Sequence, residues 1–253
     1  MKKMIKVKDK IKHYSETTNL FRIDTNVGRC YTPDPLNKLA WKPSVTTMEN
    51  IISKGRMFER WIANFGGYDK VCDYVGKKAD DGTLVHEMLE VLVNDEQLDV
   101  PIDTPNYIKK YILSFLQWFS DAKPITIATE IQLYDDDIAF SGTVDYICYI
   151  EGKLCMIDFK TGNEYPVTHK IQLCCYKELF DKIFPEDPIQ HIYGLYVKSG
   201  WRKKPTYKLK EYDYDPKISS ALKYLWDFNN KTNKTKISSK LEVELPNHYK
   251  IGE

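Results

Sequence analysis

Gly142-Thr-Val-Asp-Tyr-Ile-Cys-Tyr-Ile150, Glu151-Gly152 and Lys153-Leu-Cys-Met-Ile-Asp-Phe-Lys160 form the stretch on which the reading of this chain turns. Two runs rich in β-branched and aromatic residues flank a two-residue turn, the pattern of a β-hairpin. A turn at Glu151-Gly152 places Asp145 almost opposite Asp158. Opposed residues on paired strands share a face, with Cβ atoms about 4.5–5.5 Å apart. The strand period of two then puts Asp158 and Lys160 on one face as well. Burying such charges is costly unless they are paired or bound to metal. Two carboxylates this close repel unless a cation lies between them or one takes up a proton. A hard divalent cation with oxygen ligands suits the pair, and magnesium leaves positions open for water and a phosphate oxygen. Lys160 beside it could orient or help deprotonate a water, or offset charge building on a phosphate. The parts match metal-assisted phosphodiester hydrolysis; the plainer alternative is an Asp–Lys ladder on a half-exposed sheet. Gly142 is awkward inside a strand unless a bulge or a close approach requires it.

Outward from the hairpin, Ile125–Leu133 alternates as a strand, and Asp135–Asp137 reads as a turn. The strand carrying Asp145 is expected from Ile138 onward, giving a three-stranded meander. Downstream, a helix is expected from about Val167 to Phe184, then strands Ile189–Lys198 and Thr206–Tyr212. A closing helix follows, about Ser219 to Asn229, before a polar, Lys-bearing tail. Upstream, Ser44-Val-Thr-Thr-Met-Glu49 offers a capped helix start. Helical stretches follow at Met57–Phe65, Asp80–Val93 and Pro105–Phe119. Residues 13–43, broken by Pro33, Pro35 and Pro43, look irregular. No repeat or linker divides the chain. The expectation is one α/β domain over 1–253, with an irregular arm (1–43), a helical part (44–122), a sheet core carrying the site (123–212), and a closing helix with a tail (213–253).

Composition sets the outer limits. With 253 residues, 42% hydrophobic and 29% charged, the chain is neither a disordered tail nor a coiled coil and is long enough for a sizeable core. No run reaches the ~18 apolar residues of a membrane span. Met1–Lys12 has no apolar h-region, so no signal peptide is expected and a cytoplasmic location is. Cys30, Cys72, Cys148, Cys155, Cys174 and Cys175 contain no Cys-x-x-Cys pair and read as buried thiols in a reducing compartment. The net charge of +1 conceals an uneven distribution. Residues 1–12 carry six Lys against one Asp, residues 201–210 five basic residues and no acid, and Lys231, Lys234, Lys236 and Lys240 follow. Acids gather elsewhere, at Glu87, Glu90, Asp95, Glu96, Asp99, Asp103 and the 135–137 turn. A basic rim with Trp201 and Tyr207 would suit a single DNA strand or a duplex end, although each run alone also fits a solvated face. Trp61, Tyr74, Trp118 and Trp201 read as core or rim aromatics.

Four motifs occur in order: Gly82-Thr-Leu-Val-His86, Gly142-Thr-Val-Asp145, Ile157-Asp-Phe-Lys-Thr-Gly162 and Gln172-x-x-x-Tyr176. Together they resemble the PD-(D/E)XK nuclease superfamily over about Ser44 to Lys198, with the RecB-type and Cas4-like exonucleases, phage-encoded and mitochondrial-genome-maintenance members included, as the branch most similar. Pro43-Ser-Val-Thr-Thr47 is similar to the segment before the helices in phage members. The resemblance implies a restriction-endonuclease-like α/β core, a mixed sheet flanked by helices. It implies a metal-dependent deoxyribonuclease, an exonuclease acting in replication, recombination or repair, in the host cytoplasm if phage-encoded. By the same resemblance His86, Asp145 and Asp158 would be metal ligands, the Phe159 carbonyl an extra oxygen, and Lys160 the catalytic lysine. Glu130 would be a supporting acid or second-metal ligand. Gln172, Tyr176 and Thr161 would orient the site or touch DNA, and Arg202, Lys203 and Lys204 would form the DNA-facing rim. Mg2+ or Mn2+ is the expected cofactor and DNA the expected partner, alongside a homo-oligomer or a recombination or replication protein, with no membrane. Cas4-like and AddB-like members hold an iron–sulfur cluster through one early cysteine and three late ones. This chain has none after Cys175, so no cluster is expected. A catalytically silent DNA-binding relative and a non-nuclease metal hydrolase are the rival readings.

Overall fold

The computed structural model describes residues 20–25, 28–53 and 55–233, the last three by backbone only. The basic run 1–12, Lys234, Lys236, Lys240 and the polar tail lie outside the described residues, as does the side chain of Lys231. The first sheet is small and antiparallel: β1 (Phe21–Thr25), β2 (Gly28–Thr32) and β3 (Lys42–Pro43), in that order. This corrects the irregular reading of 13–43 from residue 21 onward. Strands of five, five and two residues are too short to display a period, and the prolines mark only the loop between β2 and β3. Cys30 and Tyr31 of β2 are buried, and the Tyr31 hydroxyl lies 3.1 Å from Thr143 Oγ1, docking this sheet on the next.

Helix α1 (Val45–Glu49) starts where its cap predicts. Ser44 Oγ accepts a hydrogen bond from the Thr47 amide at 3.0 Å. The Ser44 amide donates to the Arg29 carbonyl (2.8 Å) and the Val45 amide to the Ser141 carbonyl (3.0 Å). The short helix is thereby stitched to both sheets. Helices α2 (Arg56–Asn64), α3 (Tyr68–Val93) and α4 (Asn106–Ala122) follow. Helix α3 begins twelve residues before the expected Asp80. Its first half is almost wholly exposed, with Val71 buried, so no apolar stripe announces it. Cys72 lies on that exposed turn and departs from the reading of all six cysteines as buried.

The main sheet has five strands in the order β4 (Ile125–Leu133), β5 (Gly142–Ile150), β6 (Lys153–Lys160), β7 (His191–Val197) and β8 (Tyr207–Tyr212). Neighbours are antiparallel except β6 and β7, which are parallel. A parallel pair needs a crossover, and α5 (Pro166–Ile183) supplies it. Strand β5 begins at Gly142, four residues later than expected. Ile138 and Phe140 reach the core from the connecting loop instead. Glu151 (φ 50°) and Gly152 (φ 79°) both take left-handed conformations. That is the geometry of a two-residue hairpin turn matched to strand twist.

Each face of the sheet carries a core. One packs Val45 and Met48 of α1, Leu173, Tyr176 and Leu179 of α5, and Leu222 and Trp226 of α6 (Lys217–Asn233) against Leu154 and Met156. The other packs Val85, Leu89, Ile112, Phe115 and Trp118 of α3 and α4 against Cys155, Ile157 and Phe159. Strand β6 thus alternates between two apolar layers until Asp158 and Lys160 continue the α5-facing row as charges. Among the described residues, no helix is long and apolar enough to cross a membrane.

Candidate active site

The hairpin register is the one the turn dictates: Tyr146 faces Ile157 and Ile150 faces Lys153. Asp145 and Asp158 fall on the next rung. Asp145 Oδ2 accepts the Phe159 amide at 2.7 Å, which locks that carboxylate across the end of β6. Asp158 is buried, and its Oδ2 lies 2.6 Å from Lys160 Nζ. That oxygen is enclosed yet receives no aligned hydrogen bond. Burial pushes the Asp158 carboxyl above its usual range, the Lys160 ammonium pulls it back, and Asp145 adds to the rise. For Lys160, burial opposes the charge, but Asp158 and Asp145 outweigh it and hold the ammonium above the ordinary lysine value.

Helix α5 fixes where that ammonium points. Lys160 Nζ donates to Gln172 Oε1 at 3.0 Å, and Gln172 Nε2 donates to the Tyr176 hydroxyl at 3.3 Å. Gln172 and Tyr176 are one helical turn apart and both buried. Tyr176 explains Gly142: a Cβ there would stand 2.4 Å from Tyr176 Cε1. No side chain fits, so the glycine marks the close approach anticipated from its place in the strand.

His86 comes from the opposite layer, on α3, with Nδ1 3.6 Å from Asp145 Oδ2. Glu130 completes the group from β4, on the rung beside Asp145, between the pairs Thr129–Tyr146 and Ile131–Val144. Its backbone is left-handed (φ 49°), a strained state for a non-glycine residue that redirects its side chain out of the strand's alternation. Donor atoms of His86, Glu130 and Asp145 all lie within 4.8 Å of one another. Burial pushes the Glu130 carboxyl up to about 8, with Asp145 and then Glu90 adding to the rise. Asp158 stands beside this compact trio, turned toward Lys160. Phe159 gives its amide to Asp145 and its ring to the core, edge-on to His86 at 6.0 Å.

Three further residues surround the site without having been singled out from sequence. Glu49 ends α1 with Oε1 buried and unpartnered. Burial pushes its carboxyl up to about 8, against the pull of Lys160. Glu90, one turn beyond His86, acts on Glu130 rather than on a distant acidic edge. His169, one turn before Gln172, contacts the Tyr196 hydroxyl through Nδ1, and burial with nearby Lys160 lowers it to about 4. Of these, Glu49 left a trace in the sequence as the acid of a capped helix start, and Glu90 as one of a run of acids.

Lys160, Thr161 and Gln172 open onto a cleft of about 1640 Å³, which Arg202, Lys203 and Lys204 also line. Thr161 sits 3.6 Å from where a Cβ on Gly82 of α3 would lie. Trp118 is core, as expected.

The family model of the PD-(D/E)XK nuclease superfamily matches residues 55–236. The chain belongs to the PD-(D/E)XK nuclease superfamily. The expected mixed α/β sheet flanked by helices is the architecture observed. Among solved structures, the chain is similar to an alkaline exonuclease from Laribacter hongkongensis, at 9% identity over 76% of this chain and 91% of that one, with a TM-score of 0.39. It is also similar to a protein designated SSO0001, at 14% identity over 91% and 87%, with a TM-score of 0.39. No curated protein matches it by sequence. For this PD-(D/E)XK member, the residues at the sheet end are the acidic cluster and the single lysine described above.

Proposed function

We propose that this chain is a divalent-metal-dependent deoxyribonuclease that hydrolyses DNA phosphodiesters, working as an exonuclease at DNA ends. One observation carries the reading: the Asp158–Lys160 pair, pinned by Gln172, shares the end of the sheet with the His86, Glu130 and Asp145 donors. The donor set fits Mg2+ or Mn2+, since it is mostly hard carboxylate oxygen with one imidazole nitrogen. The raised Glu130 carboxyl beside Asp145 is a crowding of acids that a cation would relieve. His86, Asp145, Asp158 and Glu130 would hold the ion, with the Phe159 carbonyl as an extra oxygen. When bound, it supplies charge against the phosphate and lowers the pKa of a water.

The chain's own residues do the rest. Lys160 presents an ammonium to the cleft, where it can hold a phosphate oxygen or orient the attacking water, and Gln172 with Tyr176 fixes its direction. Water oxygen bonds to phosphorus as the bridging P–O bond breaks; the water gives up a proton to solvent and the departing oxygen takes one up from solvent. Exonuclease action, a role in replication, recombination or repair, a cytoplasmic setting and membership of the RecB-type branch rest on the ordered sequence motifs.

The test is digestion of end-labelled linear and circular DNA with Mg2+ or Mn2+. Linear DNA should be degraded, circles should resist, and EDTA should stop the reaction. Lys160→Ala should lose activity. DNA binding without cleavage of any substrate would replace this reading with a silent DNA-binding protein.

A further inference from the structure

Helix α2 is an unusual element of this fold. It carries Met57, Phe58, Trp61 and Ile62 within nine residues, yet none of its residues is buried. Both main cores exclude it. Its rings instead gather with Phe65 and with Tyr74 of α3. Phe58 stacks on Trp61 at 5.6 Å and 29°, and Trp61 lies 5.0 Å from Phe65 and 6.1 Å from Tyr74. The Trp61 ring is half-buried in this aromatic ledge, with Met57 76% exposed beside it. Phe58 and Trp61 line the cleft above Lys160.

Another part of the cleft lining has a different chemistry. Between β7 and β8 the chain runs Lys198-Ser-Gly-Trp-Arg-Lys-Lys204, and no acid occurs from 198 to 210. Arg202, Lys203 and Lys204 are exposed on it. The loop is held in place: Lys110 Nζ donates to the Trp201 carbonyl at 2.9 Å, and Trp201 Nε1 donates to the Lys110 carbonyl at 3.3 Å. Aromatic and cationic residues thus line one cleft of about 1640 Å³. That exceeds the roughly 300–1,000 Å³ of a small-molecule pocket.

We infer that this cleft binds an unpaired DNA strand, with bases stacked on Trp61 and phosphates on Arg202, Lys203 and Lys204, leading the chain to Lys160. The inference deepens the nuclease reading and rests on it. Every base has a stackable face, so such a ledge grips single strands without sequence preference. A duplex hides those faces and cannot use it.

The test uses the full chain in EDTA, where no cleavage intervenes. Tryptophan fluorescence and anisotropy are followed with oligo(dT), an abasic oligonucleotide of equal length, and a duplex. Oligo(dT) should quench fluorescence and bind more tightly than the other two. Trp61→Phe should lose the quench attributable to that residue while still binding. Trp61→Ala, which sits outside both cores and should fold, should weaken oligo(dT) about tenfold or more, with little effect on the abasic strand. Lys203→Ala with Lys204→Ala should weaken both strands alike and flatten the salt dependence. Equal binding of base-bearing, abasic and duplex DNA, or an unaffected Trp61→Ala, overturns the inference. Cleavage that persists in that case leaves the nuclease reading standing. Strand binding as described without cleavage in metal overturns the nuclease reading instead.

Discussion

Glu49→Gln isolates one electrostatic cost built into the site. Glu49 ends α1 with a buried, unpartnered Oε1, and its carboxyl is pushed from the ordinary 4.5 to about 8. At 1.36 kcal/mol per pKa unit that is roughly 4–5 kcal/mol against the ionised form, trimmed by local relaxation to about 2–4 kcal/mol. The sign follows from proton counting. Between pH 4.5 and 8 the folded chain keeps a proton on Glu49 that the unfolded chain has released. Stability is therefore full below about pH 4.5, falls through that window, and levels off above about pH 8. Glutamine keeps the shape and never ionises. Urea melts of wild type and Glu49→Gln in EDTA should agree at pH 4.5 to 5. At pH 8.5 the variant should be the more stable by about 2–4 kcal/mol. Taking the difference between the proteins cancels the titrating groups that do not interact with Glu49. A pH-independent difference, or a variant less stable at pH 8.5, would mean that Glu49 is solvated or well paired, and the packing of α1 over Lys160 would have to be redrawn.

Other expectations follow from the same geometry. Gly142→Ala drives a Cβ to 2.4 Å from Tyr176 Cε1. Thermal melts should report about 1–3 kcal/mol of lost stability from overpacking, and cleavage should fall because Tyr176 can no longer hold Gln172; a neutral variant would refute the close approach. Glu130, pushed up to about 8, must shed its proton to meet a cation. Calorimetric Mn2+ affinity should therefore weaken as pH falls below about 8, by up to about tenfold per pH unit, and Glu130→Gln should abolish that slope. Gln172→Ala should lower kcat more than KM in steady-state cleavage, since it frees the lysine ammonium without touching the cationic rim. An effect on KM alone would place Gln172 at the DNA instead.

How much of this was legible depended on chain separation. The Asp145–Asp158 register needed only a two-residue turn, and Glu151-Gly152 folds as that turn demands. Asp158 and Lys160 share a face because a strand has period two. Glu49 lies 111 residues from Lys160, and its place follows from α1 being sewn to Arg29 and Ser141, which no local pattern encodes. Glu130 was named through family resemblance alone, because a left-handed backbone rather than strand alternation aims it. Glu90 read as part of an acidic surface because Glu130, which it acts on, lies 40 residues away on β4. The early half of α3 and the first sheet escaped notice because exposed residues and two- to five-residue strands carry no hydrophobic period.

The central claim is that Lys160 and the carboxylates at the end of the sheet break DNA phosphodiesters with a divalent ion. Rates of product release from end-labelled linear DNA in Mg2+, compared for wild type, Asp158→Asn and Lys160→Ala of verified fold, test it most directly. The account predicts metal-dependent cleavage by wild type and losses of at least about a hundredfold in both variants. Equal rates in all three proteins, or wild-type cleavage that survives EDTA, would contradict it.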